Sequence, residues 1–234
     1  MHPQNKPTVA AVPADHPIDT SSAREATPAR AQPSRLHDAA AFLRAFLARP
    51  TEVASVVPSS VRLERRILRL ADLASARCVV ELGPGTGGTT RALLAALPPQ
   101  ARLLAIELNT DLAQRLQSRI RDPRLIVHHG SALALAEILE RWHLPAPDAA
   151  VSGIPFSILP TEIAQGVAAA IRDRLAPGGR FVAYQFRDHV AGYLTPLMGP
   201  PRREWEWFNA PPVRVFRWVK PLSSGRGDTD ARSR

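Results

Sequence analysis

The sequence predicts an α/β chain. Five parallel strands alternate with helices, and a C-terminal antiparallel hairpin completes a seven-stranded sheet, with further helices ahead of it. Three observations predict this. From residue 78 onward, short apolar runs rich in β-branched residues alternate with segments of helical period. The first run, Val79-Val80-Glu81-Leu82, breaks into a glycine-rich turn, Gly83-Pro84-Gly85-Thr86-Gly87-Gly88, that opens a helix. After the fifth strand no sixth parallel unit follows. Instead Glu204–Asn209 and Pro212–Lys220 read as two strands joined by a turn.

In chain order, residues 1–34 are rich in Pro, Ala, Thr and Ser without hydrophobic period and are expected to be a disordered tail. Residues 35–75 should hold helices. In Asp38–Arg49, Phe42, Leu43, Phe46 and Leu47 make one apolar stripe at helical spacing, with Arg44 on the basic part. Two readings stand side by side: a helix packed over a ligand site, or an interfacial helix lying on a membrane. Ser59 or Ser60 can cap the next helix, Val61–Leu73, whose Leu63, Ile67 and Leu70 form its buried face. The sheet domain is expected over residues 76–221. Its strands are Cys78–Leu82, Arg102–Glu107, Leu125–His128, Ala149–Ser152 and Arg180–Gln185. Its helices are Thr89–Leu97, Thr110–Arg119, Ala132–Trp142, Thr161–Leu175 and Asp188–Leu197. Pro177-Gly178-Gly179 ends the Thr161 helix and launches the next strand. Trp205 and Trp207 alternate with Glu204 and Glu206, so both face one side of a strand, and core packing is expected for them ahead of a membrane or lipid contact. Residues 222–234 read as a second disordered tail.

Bulk properties narrow the class. A chain of 234 residues suits one domain with tails, and 45% apolar residues suffice for a core. No run approaches the ~18–20 apolar residues of a membrane span. Residues 1–32 lack the apolar core of a secretion signal, and the single cysteine, Cys78, fits a reducing cytoplasm. The net charge of +9 favours polyanions, either nucleic acid or an anionic membrane surface. Only Lys6 and Lys220 are lysines, so compositional bias and a merely solvated basic surface explain the charge equally well. His128-His129 do not make a metal site: neighbouring strand residues face opposite ways, and no third ligand stands at a suitable spacing.

The glycine turn carries the functional signal. Glycine permits positive φ and close approach of a ligand, and a helix N-terminus offers free N–H groups. Glu107, at the tip of the second strand, can accept hydrogen bonds from ribose hydroxyls. Gly83, Gly85 and Gly88 fit the dinucleotide pattern G-x-G-x-x-G. Gly83, Gly85 and Gly87, led by Glu81, fit the E-x-G-x-G-x-G pattern of S-adenosylmethionine-dependent methyltransferases. The acid at 81 and the closing hairpin favour the second pattern and a Rossmann-like methyltransferase sheet.

The spacing of these pieces resembles the bacterial phospholipid N-methyltransferases from about Ala41 to Lys220. The matching pieces are the aromatic-basic leading helix, Ala54-Ser55-Val56-Val57-Pro58-Ser59-Ser60, Val80–Gly87, Ala105–Asn109, Val151-Ser152-Gly153-Ile154-Pro155-Phe156, Leu175–Gly179 and Pro211–Arg217. The resemblance implies methyl transfer from S-adenosylmethionine to the amine of phosphatidylethanolamine, releasing S-adenosylhomocysteine, with repeated turns leading towards phosphatidylcholine. It implies cofactor contacts at Glu81, Gly83, Gly85, Thr86, Gly87, Glu107, Leu108, Ser131, Ala132 and Ser152. Ser131 departs from the family, which has an aspartate there to hold adenine.

A lipid ammonium must lose its proton before attack. Ser152, Gly153, Tyr184 and His189 are the catalytic candidates, and Ile154, Pro155, Phe156 and Arg187 the substrate-side ones. Arg187 suits a lipid phosphate or an ordinary ion pair with Asp188. Phe42, Leu43, Arg44, Phe46 and Leu47 would contact the membrane. The expected partners are an anionic membrane surface and an ethanolamine phospholipid, at the inner face of the cytoplasmic membrane. The chief rival is a ribosomal RNA adenine methyltransferase, which carries Asn-Ile/Leu-Pro-Phe/Tyr after the fourth strand. Gly153 stands in place of that Asn and has no side chain to hold a nucleobase amine. A soluble amine acceptor and a non-enzymatic membrane-binding protein are the remaining readings.

Overall fold

The computed structural model describes residues 60–209 and 211–222. The Phe42–Leu47 stripe, the segment up to Ser59 and the tail from residue 223 lie outside the described residues. Helix α1 spans Val61–Ala71 and is followed by β1 Cys78–Leu82, α2 Gly88–Ala96, β2 Arg102–Glu107, α3 Thr110–Arg119 and β3 Leu125–His129. A 3-10 turn at Ala132–Ala134 leads into α4 Leu135–Arg141, then β4 Ala149–Ser152. A second 3-10 turn, Phe156–Ile158, precedes α5 Thr161–Arg174, β5 Arg180–Gln185, α6 His189–Met198, β6 Arg202–Glu206 and β7 Val213–Val219.

The seven strands lie in the order β3-β2-β1-β4-β5-β7-β6. β1 to β5 pair in parallel, while β7 runs antiparallel to both β5 and β6. Strand β1 is buried along its whole length, which is why it reads as a continuous apolar run broken only by Glu81. One face of the sheet packs Val80, Leu104, Phe181 and Trp218 against α4, α5 and α6. The other packs Val79, Leu103, Val182 and Val215 against α1 and α2. Helix α1 begins where Ser60 accepts a hydrogen bond from the Leu63 N–H at 3.2 Å, and it buries Leu63, Ile67, Leu70 and Ala71. Asn109 caps α3 in the same way, accepting from Leu112 N–H at 3.0 Å.

Two expectations change. The helix expected over Ala132–Trp142 is divided, because Ser131 caps a tight 3-10 turn before α4 starts. The strand expected at Glu204–Asn209 is β6, shifted to Arg202–Glu206, and this reverses the reading of the tryptophans. Trp205 and Trp207 are 38% and 63% exposed and stack on one another at 4.6 Å. The glutamates take the covered side. Glu206 is buried and accepts from Arg66 Nε of α1 at 3.1 Å, and Glu204 accepts from Arg66 Nη1 at 2.7 Å and from Arg69. Helix α1 brings arginines to that face of β6, so the charged residues, not the aromatic ones, face protein.

Candidate functional site

Parallel register brings the site together. Leu82 lies beside both Ile106 and Ser152, and Ser152 beside Ala183. The residues that follow these positions therefore converge at one edge of the sheet, where a ligand crevice forms in open α/β sheets.

The loop from Gly83 to Gly87 turns through the left-handed region at Gly83, Gly85 and Gly87. Two of these glycines are needed for different reasons. At Gly87 φ is +88°, which disfavours any side chain, and a Cβ there would also lie 2.5 Å from Leu116 Cδ1. A Cβ on Gly85 would meet nothing within 4 Å, so that position faces open space. Thr86 is exposed at the loop tip.

Two buried acids flank the loop. Glu81 Oε2 accepts from Thr90 Oγ1 at 2.7 Å, while its Oε1 has no partner among the described residues. Burial lifts the Glu81 carboxyl from the ordinary 4.5 to about 7; the Thr90 hydrogen bond opposes this and nearby Glu107 adds to it. Glu107 Oε1 accepts from Asn109 N–H at 2.9 Å, and its Oε2 accepts from Gly85 N–H at 3.1 Å. Burial raises its pKa too, against the backbone N–H groups of Asn109, Gly85 and Leu108. The Glu107 carboxylate thus ties the glycine loop to the end of β2, and each oxygen keeps a lone pair for a further donor. At the end of β3, the Ser131 hydroxyl accepts from Leu133 N–H at 3.3 Å, and Ala132 and Leu108 are buried.

The end of β4 is the tightest part. Ser152 is buried and accepts from Ile154 N–H at 3.2 Å. A Cβ on Gly153 would lie 2.5 Å from Tyr184 Oη and 2.9 Å from the Gly83 carbonyl oxygen. The Tyr184 hydroxyl therefore fills the volume a side chain at 153 would need. It lies 3.4 Å from Thr89 Oγ1. Burial, then the charge of Glu81, push it up to about 12, so it stays a neutral phenol.

The remaining candidates scatter. Phe156 is a core residue, 1% exposed and packed near the Tyr193 ring, so its ring cannot face an acceptor. Ile154 and Pro155 are half-buried. His189 is exposed at the first residue of α6, and Arg187 is exposed and not paired with Asp188, which binds Arg214 instead. His128 accepts from Trp142 Nε1 at 3.1 Å, while His129 lies 3.1 Å from Thr110 Oγ1 on other partners. No cluster of metal-binding type occurs among the described residues.

Two contributors went unseen in the sequence. Gln185, buried at the end of β5, accepts from Phe156 N–H at 3.1 Å and donates to the Ile154 carbonyl at 2.7 Å. It fixes the path of residues 154–156. Glu64 of α1 reaches towards the start of α2, 3.5 Å from where a Cβ on Gly88 would be. Only its helical spacing from Ile67 was visible, and that places it no more than near a buried stripe.

The set of buried acceptors fits a cationic nucleoside. Glu81 holds an unpartnered acceptor in a buried place, Gly85 leaves room, and Glu107 offers a carboxylate at a strand tip. The comparisons agree. Residues 79–179 match the family described as "Methyltransferase domain". The chain is 33% identical over 141 residues to the ornithine lipid N-methyltransferase of Singulisphaera acidiphila, covering 60% of this chain and 73% of that protein. It is 37% identical over 100 residues to the ribosomal RNA small subunit methyltransferase A of Leifsonia xyli, a match spanning 40% of this chain but only 33% of that protein. The fold matches the N-methyltransferase NodS of Bradyrhizobium japonicum, solved with S-adenosyl-l-homocysteine, at a TM-score of 0.59 and 17% identity. That match covers 76% of this chain and 99% of NodS.

Proposed function

The chain belongs to the bacterial lipid N-methyltransferase-like family and uses S-adenosylmethionine, and from that premise we propose that it methylates the primary amine of an ethanolamine phospholipid. The observation that carries the choice of acceptor class is the packing at Gly153. A nucleobase reader would need a hydrogen-bonding side chain there, and the Tyr184 hydroxyl and the Gly83 carbonyl occupy that space.

When bound, S-adenosylmethionine supplies a methyl group already activated on a sulfonium. The chain's own residues bind, orient and exclude water. Glu81 and Glu107 would hold the cationic and ribose parts, with Gly85 giving room. An attacking amine needs its lone pair free. Tyr184, as a neutral phenol, and Ser152 offer hydrogen-bonding oxygens that orient such an amine without titrating near neutrality. Gln185 holds the 154–156 segment that borders them.

Full-length protein with labelled S-adenosylmethionine should place label in phosphatidylethanolamine of mixed vesicles, and product chromatography should count the methyls. Label in RNA alone would overturn the reading. The Singulisphaera relative supports a second acceptor, the amine of an ornithine lipid, so vesicles of that lipid form the parallel arm. Glu107→Ala should weaken cofactor binding in calorimetry by about tenfold or more, since each hydrogen bond to a charged acceptor contributes ~1.5–3 kcal/mol.

A further inference from the structure

We propose that the rim formed by the β6–β7 turn and the start of α1 docks this protein onto an anionic lipid bilayer. The proposal rests on the lipid reading above, but it concerns a surface outside the cofactor site.

The rim stands at the same edge of the sheet as the glycine loop. Gln185 at the end of β5 pairs with Arg214, and Val213 beside it pairs with Glu206, so the β6–β7 turn lies at the edge where Gly83 and Gly153 meet. Ser60 N–H reaches Asn209 Oδ1 at 3.5 Å and brings the start of α1 to the same turn. Three aromatic rings project there. Trp205 and Trp207 stack on each other, and Phe208 is 75% exposed. Exposed aromatic rings at one turn suit a lipid surface, since tryptophan rings settle at the headgroup level of a bilayer.

Cations surround the rings. Arg62 stacks over Phe208 at 4.1 Å, leaving its guanidinium edge for phosphate, and Arg214, paired with Asp188, stacks over Trp205 at 4.3 Å. Arg62 and Arg65 make no ion pair among the described residues. They line a shallow groove of about 440 Å³ beside Phe208, with Arg66 and Arg69 already committed to Glu204 and Glu206. The acids that face the rim are neutralised in place: Asp188 by Arg214, and Glu206 by Arg66. Glu206 also accepts from Phe208 N–H at 3.1 Å, which ties the first residues after β6 to the end of that strand. The chain's own segment before Ser60 suits this surface less well. Residues 34–59 carry Arg35, Arg44 and Arg49 against Asp38 and Glu52, so their small net positive charge offers a basic rim no complement. An anionic bilayer complements both.

The test uses the full chain and vesicles of phosphatidylglycerol and phosphatidylcholine, which contain no methylatable amine. Docking is then read apart from catalysis, and a protein that methylates no lipid can still pass or fail. In a Trp142→Phe background, Trp218 is buried, so emission accessible to lipid comes from Trp205 and Trp207. Brominated lipid should quench that emission. The double change Trp207→Ser with Phe208→Ser should lower partitioning about tenfold or more, while cofactor affinity stays unchanged. Unquenched emission with unaltered partitioning would overturn the proposal. So would hydrogen exchange showing residues 34–59 protecting the turn without vesicles, or a dimer in sedimentation that Trp207→Ser dissociates. Should the double variant prove unstable, Arg62→Glu with Arg65→Glu gives a second test, since a fixed bilayer-facing rim must lose affinity for anionic vesicles when its charge is reversed.

Discussion

At the scale of single residues, Glu81 carries the clearest pH dependence. Its folded pKa is about 7 against an ordinary 4.5, so the folded protein holds a proton there that the unfolded chain releases. The sign follows: stability falls as pH rises from about 4.5 to about 7, and is flat above that window for this group. Glu81→Gln removes the proton that is lost. Urea unfolding at about pH 5 and about pH 8 should show the wild type losing more stability across that interval than the variant. An equal change in both would mean that Glu81 finds a compensating partner in the fold. Gly153 makes a steric prediction. Gly153→Ala should cost about 1–3 kcal/mol, because the new methyl overpacks against the Tyr184 hydroxyl and the Gly83 carbonyl. Adding Tyr184→Phe removes the nearer oxygen and should restore part of that loss in the same unfolding measurement. Additive losses in the double variant would contradict the arrangement.

At the scale of elements, the segment after β4 depends on one side chain of β5. Gln185 closes two hydrogen bonds to the backbone of Ile154 and Phe156. Gln185→Leu keeps the volume and strands both backbone groups, at a cost of about 1–3 kcal/mol each. Methyl transfer should slow more than cofactor binding weakens, because the segment lies on the acceptor side; turnover and calorimetric affinity measured together would show the split. The β6–α1 brace is the second such device. Arg66 joins Glu204 and Glu206, and Glu206 in turn fixes Phe208. Both braces join elements far apart in the chain, which is why neither was legible in the sequence. A strand ending in Tyr184-Gln185 and a helix carrying Arg66 each look ordinary until the sheet order brings their partners alongside.

At the scale of the whole molecule, the parallel register concentrates function at one edge. The glycine loop, both buried acids, the Gly153 contact and the aromatic rim all stand there, while the opposite edge carries ordinary turns. No helix among the described residues is long and apolar enough to cross a membrane. The proposed docking rim would act through its rings and its arginines, with the net charge of +9 behind it. Partitioning onto anionic vesicles should accordingly weaken steeply as salt rises from about 0.05 M to about 0.5 M, as exposed charges are screened. Insensitivity to salt would assign the attachment to apolar contact alone.

By itself the sequence determined the layers, the glycine turn with its leading acid, and the second acid at a strand tip. Those are set by local rules: hydrophobic period, the steric demands of glycine, and the distance along one βαβ unit. It also determined that position 153 has no side chain. Only the tertiary structure decided why it can have none, because the Tyr184 hydroxyl comes from a strand 31 positions later in the chain and fills the space. The same holds for Trp205 and Trp207. Alternation announced that one face of β6 is aromatic and the other acidic, and it favoured the aromatic face for the core. The packing of α1, with Arg66 and Arg69 aimed at the glutamates, decided the opposite. Alternation distinguishes two faces of a strand, but which one is buried depends on what is laid against it.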